Sequence, residues 1–181
     1  MAQIKIVDPA QATGMSKELL TALQNKIKSV PNLAKALANS PAALKAWIDF
    51  EGALAKGSLN AKLRQEIALA VGQKNGCEYC VSAHTVIGKL TGLTDQQTLS
   101  SRNGQGTSPK ATAALAFARE LLEKRGQVPA SSVLALRDQG FTDGAIAEIV
   151  AHVALNIFTN YFNIVLDVDV DFPRVALDQV A

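Results

Sequence analysis

An all-α fold follows from three features of this 181-residue sequence. Alanine and leucine dominate while aromatic residues make up only 5 %. The apolar/polar alternation that marks half-buried strands is nearly absent. Apolar residues instead recur at three- and four-residue spacings, in segments bracketed by capping residues, Gly and Pro.

The elements can be justified in order. Ser16 to Ser29 forms a first helix with Leu19, Leu20, Leu23 and Ile27 on one face, and Pro31 stops it. A short helix spans Leu33 to Ala38. Pro41 suits the first turn of the next helix, which runs to about Lys56, presents Leu44, Trp47, Ile48 and Leu54, and has Gly57 as a C-terminal cap. Trp47 and Phe50 are read as core. Asn60 to Lys74 follows, with Leu63, Ile67, Ala70 and Val71 as its stripe. Asn75-Gly76 is a turn, and Cys77 to Leu90 is the next helix. Thr94 with Gln97 makes a capping box, and residues 101–107 form the clearest loop. Ser108-Pro109 opens a helix ending near Gly126, and Ser131 to Gln139 is short. Thr142 caps the last long helix, with Phe141 packing on Ile146 as a hydrophobic staple. Neither side of the 101–107 loop closes a core alone, so residues 1–181 are expected to form one helical domain.

Composition excludes several function classes. Hydrophobic residues make up 48 % and charged residues 19 %, which is globular rather than disordered. The net charge of +2 is unclustered and calls for neither nucleic acid nor an anionic membrane. The most apolar stretch, Ile146 to Leu166, is interrupted by Glu148, His152, Asn156, Asn160 and Asn163, which argues against a membrane span. The opening MAQIKIVDPAQATG lacks a signal peptide's apolar core, so a cytoplasmic location is expected. Two cysteines in such a chain read as reactive or metal-binding before they read as a structural framework.

The chemistry concentrates in NGCEYCVSAH, residues 75–84. Cys77, Cys80, His84 and Ile87 share one helical face, and the sulfurs lie in the first turn. Helix N-termini carry unpaired N–H groups and partial positive charge, which favour thiolate over thiol. Lowering a thiol pKa from about 8.5 to about 6 raises the thiolate fraction at neutral pH roughly thirty-fold. His84, one turn beyond Cys80, can hydrogen-bond the sulfur or take its proton. Glu66 borders the stripe of the preceding helix. An antiparallel pairing across the short turn brings it level with His84, for an expected order of Glu66, His84, Cys80. A carboxylate steadying an imidazole that serves a thiol is the logic of an activated nucleophile.

The segment EIALAVGQKNGCEYCVSAH resembles the signature of the alkylhydroperoxidase-like (AhpD-like) proteins of the carboxymuconolactone decarboxylase superfamily: a Glu, about a dozen residues, then Cys-x-x-Cys-x-x-x-His. The resemblance extends over roughly residues 40–170. It implies an AhpD-like helical bundle with the Cys-x-x-Cys motif at the N-terminus of a central helix, and a thiol-dependent peroxidase. It also implies that Cys80 attacks the hydroperoxide, Cys77 resolves the sulfenic acid, Glu66 and His84 relay protons, and a dithiol or lipoyl-type protein is the reductant. Tyr79 stands where the hydroperoxidase branch has a second histidine. The decarboxylase branch lacks the cysteine pair, which argues against decarboxylation.

Other readings stay open. The pair could serve thiol–disulfide exchange or redox sensing without peroxide turnover. It could be a structural disulfide, two inert cysteines, or a zinc site completed by His84 and His152, although no second Cys-x-x-Cys or His pair supports zinc, and neither metal nor cofactor is expected. Tyr79 is read as a half-exposed lid residue that could touch substrate. Glu148, His152, Asn156 and Asn160 form a polar seam at four-residue steps, either a hydrogen-bonded seam or, through His152 and Asn156, part of an apolar substrate pocket. Asp167, Asp169 and Asp171 look like the start of a calcium loop, but Phe172 occupies the required Gly position. The last helix has apolar residues on more than one face (Val150, Val153, Ile157, Phe158, Tyr161, Phe162, Val165), so a homo-oligomer is expected: a trimer, hexamer or dimer.

Overall fold

The computed structural model describes residues 2–177. They form nine helices and no strand: α1 (Gly14–Ile27), α2 (Asn32–Leu37), α3 (Pro41–Leu54), α4 (Ala61–Lys74), α5 (Glu78–Leu90), α6 (Asp95–Arg102), α7 (Pro109–Glu123), α8 (Ala130–Asp138) and α9 (Asp143–Val165). The local signals act as their chemistry requires. The side chains of Ser40, Asn60, Thr94, Ser108 and Thr142 each accept a backbone N–H three residues on. Thr94 and Gln97 complete a reciprocal capping box. Gly57 departs from expectation. The cap of α3 is Ala55 in right-handed geometry, and the space beside Gly57 is filled by the Glu148 carboxylate. That carboxylate accepts from the N–H groups of Ser58 and Leu59, and the Ser58 bond above all holds its pKa below the ordinary value.

Two apolar clusters divide the interior. One joins α4, α7, α8 and α9 through Ile67, Val71, Leu115, Leu136 and Ile149. The other joins α1, α2 and α3 to the start of α5 through Leu20, Leu37, Leu44, Cys77 and Cys80. Helix α4 is buried along almost its whole length and packs on α5, α6, α7 and α9. Trp47 is half-buried, but Phe50 is exposed, against the core assignment.

Helix α9 is long and apolar enough to cross a membrane by length and composition, and 44 % of that window is buried inside the fold. His152, Asn156, Asn160 and Asn163 all face inward, while Val150, Phe158, Tyr161, Ile164 and Val165 face out. Beyond α9 the chain turns back as a strap. Asp171 accepts from Asn32 N, Phe172 meets the Tyr79 ring edge-on, Arg174 pairs with Glu78, and Val175 N donates to Ser82 Oγ. The strap thus lies along the first turns of α5.

Candidate active site

The turn between α4 and α5 places the sulfurs. Gly76 adopts φ +71°, a left-handed conformation that glycine accepts without strain. The next N–H, that of Cys77, then reaches back to Gly72 O at 2.9 Å and closes α4. Cys77 is at once the N-cap of α5, its Sγ accepting from Cys80 N at 3.2 Å. Cys77 and Cys80 are joined as a disulfide with Cα atoms 5.3 Å apart, and both are almost completely buried. On the other side of the pair, Asn163 of α9 donates through Nδ2 to Cys80 Sγ at 3.4 Å. Asn160, one turn earlier, accepts from Asn75 Nδ2 at 2.8 Å and so ties the turn itself to α9.

His84 lies one turn beyond Cys80. Its Nδ1 is 2.8 Å from Oε1 of Gln65. With that carbonyl as acceptor, Nδ1 carries the hydrogen and Nε2 keeps the free lone pair. The expected partner, Glu66, is fully buried but faces elsewhere: its Oε1 accepts from Thr107 N at 2.6 Å. The axial level differs from expectation by most of a turn: a Cβ placed at Gly88 of α5 would lie 3.7 Å from that of Gln65, so the Gln65 side chain reaches back along α5 to His84. The angle differs too, because one residue along a helix is a rotation of about 100°. Residue 65 meets α5, and residue 66 meets the loop before α7. Gly106 lets that loop come close: a Cβ there would lie 2.6 Å from backbone atoms of Ala111 and Thr112.

The remaining candidates are buried near this centre. His152 is 6 % exposed, and its charge would act on His84. Its Nε2 has no hydrogen-bond partner, and its carbonyl accepts from Asn156 Nδ2. Tyr79 is buried rather than half-exposed. Its hydroxyl accepts from Leu33 N and donates to Asp171 Oδ1, and burial chiefly raises its pKa. A cavity of about 360 Å³ opens between α5, α6 and the strap, lined by Thr85, Val86, Leu99 and Arg102 among others. It does not include the sulfurs, so the expected apolar pocket directly at the thiols is not seen there. No cluster of three or more His, Cys, Asp or Glu suited to a metal occurs among the described residues.

Sequence reading missed Gln65 and Asn163. The signal for Asn163 was present, since it extends the inward polar seam of α9 by one further turn. Nothing in the residues marked Gln65 over its acidic neighbour.

Burial is the main reason the pKa of each histidine falls from 6.5 to about 4, aided by repulsion from His152 on His84 and from Arg64 on His152. Both rings are therefore neutral at pH 7, with His152 buried and His84 half-buried.

Comparison with known proteins places these features. Residues 41–120 match the family model of the carboxymuconolactone decarboxylase family. A protein of Bacillus subtilis (strain 168), uncharacterized protein YdfG, is 33 % identical over 58 residues, which span 32 % of this chain and 40 % of that protein. The fold matches an AhpD-core peroxidase-related protein from Ralstonia eutropha JMP134 with a TM-score of 0.85 and 24 % identity, covering 94 % of this chain and 92 % of that one. A peroxidase-related protein from Silicibacter sp. TM1040 gives 0.81 and 21 %, covering 96 % and 90 %. The debrominase Bmp8, solved with 2,3,4-tribromopyrrole, gives 0.77 and 19 %, covering 93 % and 91 %.

The depressed histidine pKa values carry a sign. The unfolded chain binds protons that the folded chain refuses, so stability is full above about pH 6.5 and falls as pH drops towards about 4. The chain has two histidines, so two ring signals are expected in a carbon-resolved proton NMR titration. Both should stay in the neutral position at pH 6; a midpoint near the ordinary value of about 6.5 for either ring contradicts the buried arrangement.

Proposed function

We propose, for a chain that carries the carboxymuconolactone decarboxylase family match on an alkylhydroperoxidase-like fold, that Cys77 and Cys80 form the redox centre of a thiol-dependent peroxidase. The observation that carries this reading is the disulfide-bonded pair at the start of α5, with a separate N–H donor on each sulfur and an imidazole one turn away.

In the proposed cycle the Cys80 thiolate attacks the distal oxygen of a hydroperoxide, ROOH. The S–O bond forms, the O–O bond breaks, and alkoxide leaves to take a proton as ROH. Cys77 then attacks the Cys80 sulfenic acid, forming the disulfide and releasing water. An external dithiol, of small-molecule or lipoyl-protein type, returns two electrons and two protons and leaves as its own disulfide. His84 takes and returns protons through Nε2 while the Gln65 carbonyl holds its tautomer. Gln65 takes the orienting role in place of Glu66. A neutral amide orients the ring without raising its basicity as a carboxylate would, which suits a ring already neutral at pH 7. Glu66 contributes by fixing the loop before α7. A reducing compartment such as the cytoplasm supplies the thiol donors this cycle needs.

A second reading is thiol–disulfide exchange without peroxide turnover. The near-complete burial of both sulfurs favours it, since it leaves little room at the sulfur for a bulky organic peroxide.

The exposed apolar residues of α9, notably Val150, Phe158, Tyr161 and Val165, support self-association as part of the same proposal. Light scattering is expected to give a dimer, trimer or hexamer mass; a single protomer mass contradicts it.

The functional test is steady-state consumption of cumene hydroperoxide with dihydrolipoamide as donor, with 2,3,4-tribromopyrrole as comparison substrate. Turnover of the peroxide is expected, with a loss of at least about a hundredfold in Cys80→Ser. Equal rates in Cys80→Ser, or bromide release without peroxide consumption, defeat the peroxidase reading. Disulfide exchange with neither turnover supports the second.

A further inference from the structure

We infer that Asn163 is a further catalytic residue, whose side-chain amide holds Cys80 as a thiolate once the disulfide is reduced. This rests on the reading of Cys77 and Cys80 as the redox centre and adds the group that distinguishes one sulfur from the other.

Asn163 reaches Cys80 Sγ from the last turns of α9, with Nδ2 3.4 Å away and the side chain buried. Its other polar atom, Oδ1, is buried with no hydrogen-bond partner. An interior amide with an unpaired carbonyl is less favourable than an apolar side chain of similar size, so packing alone does not call for asparagine here. The half of the amide that has a partner is the half that faces sulfur. A disulfide sulfur is a weak acceptor and a thiolate a strong one, so the bond gains strength when the pair is reduced and Cys80 ionises. On reduction a dithiol supplies two electrons and two protons and becomes a disulfide. The Cys80 thiol then passes its proton to solvent, and the anion left on Sγ accepts from Nδ2.

The charged and titratable groups on the surrounding elements have other partners. Glu66 accepts from Thr107 N, Glu78 pairs with Arg174, Asp171 holds Tyr79 and Asn32, and Arg102 donates to Gln73 and Ala176. His84 is bonded to Gln65, and both it and His152 are uncharged at neutral pH. The hydrogen bond that reaches Cys80 Sγ therefore comes from a neutral amide, not from an ion pair. Cys77 has its own donor, the N–H of Cys80, which a change at residue 163 leaves in place.

That separation makes the inference testable without peroxide. The reduced full-length protein is alkylated briefly with iodoacetamide from about pH 5 to about pH 9, and each cysteine is quantified by peptide mass spectrometry. Asn163→Leu is expected to raise the Cys80 midpoint by about one unit and slow its alkylation about tenfold at the acid end of that range, below the parent midpoint, with Cys77 within about twofold of the parent. Asn163→Ala, which removes the amide without adding bulk or charge, is read in the same way if the leucine variant does not fold, and is expected to raise the Cys80 midpoint alone. Cys80 reacting as fast as in the parent, or both cysteines shifting together, overturns the assignment. Because alkylation needs no peroxide, that failure leaves the peroxidase reading standing, and a failed peroxide assay leaves this one testable.

Discussion

One residue ends a helix and begins the next, and the rest of the site depends on it. The backbone N–H of Cys77 closes α4 while its sulfur caps α5. The glycine before it supplies the left-handed turn that makes both possible. Only Asn75, Gly76 and Cys77 separate the helices. The sulfur therefore sits in the field of the α5 N-terminus and against α4, where the space beside Gly72 meets Cys80 and Val81 at ordinary contact distance.

The inward polar face of α9 is the second consequence. Three buried side chains there, His152, Asn160 and Asn163, each keep a polar atom without a partner. Interiors rarely leave polar atoms so, and each such atom calls for a reason. Here they line the side of α4 and α5 on which the sulfurs and His84 sit. Neutral donors and neutral rings suit an interior that would penalise an ion pair. The strap after α9 completes the enclosure by holding Glu78, Tyr79 and Ser82, three residues of α5 within two positions of Cys80.

Much of this was legible in the residues. Ser108-Pro109, the Thr94–Gln97 box and Thr142 are local signals whose physics needs no tertiary context, and the helices begin where they say. The cysteine spacing likewise placed both sulfurs in the first turn of α5. What was not legible is angular or long-range. Spacing fixes how far along a helix a residue lies, but choosing Gln65 over Glu66 needs the rotation of α4 about its axis, which only packing sets. A carboxylate beside a histidine is the stronger chemical prior, and here the weaker group has the geometry. Gly57 looked like a cap because glycine often is one; the Glu148 carboxylate 91 positions away explains it instead. The strap carries alternating Asp and Val, and nothing local reveals that Asp171 will find Tyr79 and Asn32.

The central claim is that Cys77 and Cys80 are a working redox pair and not a structural link. It is tested most directly in a single turnover: the fully reduced protein receives one equivalent of hydroperoxide with no donor present, and intact mass and peptide mapping follow. The account predicts stoichiometric loss of both thiols and a mass lower by about 2 Da, with Cys77 and Cys80 recovered in one crosslinked peptide. Two free thiols persisting through a large excess of peroxide would contradict it.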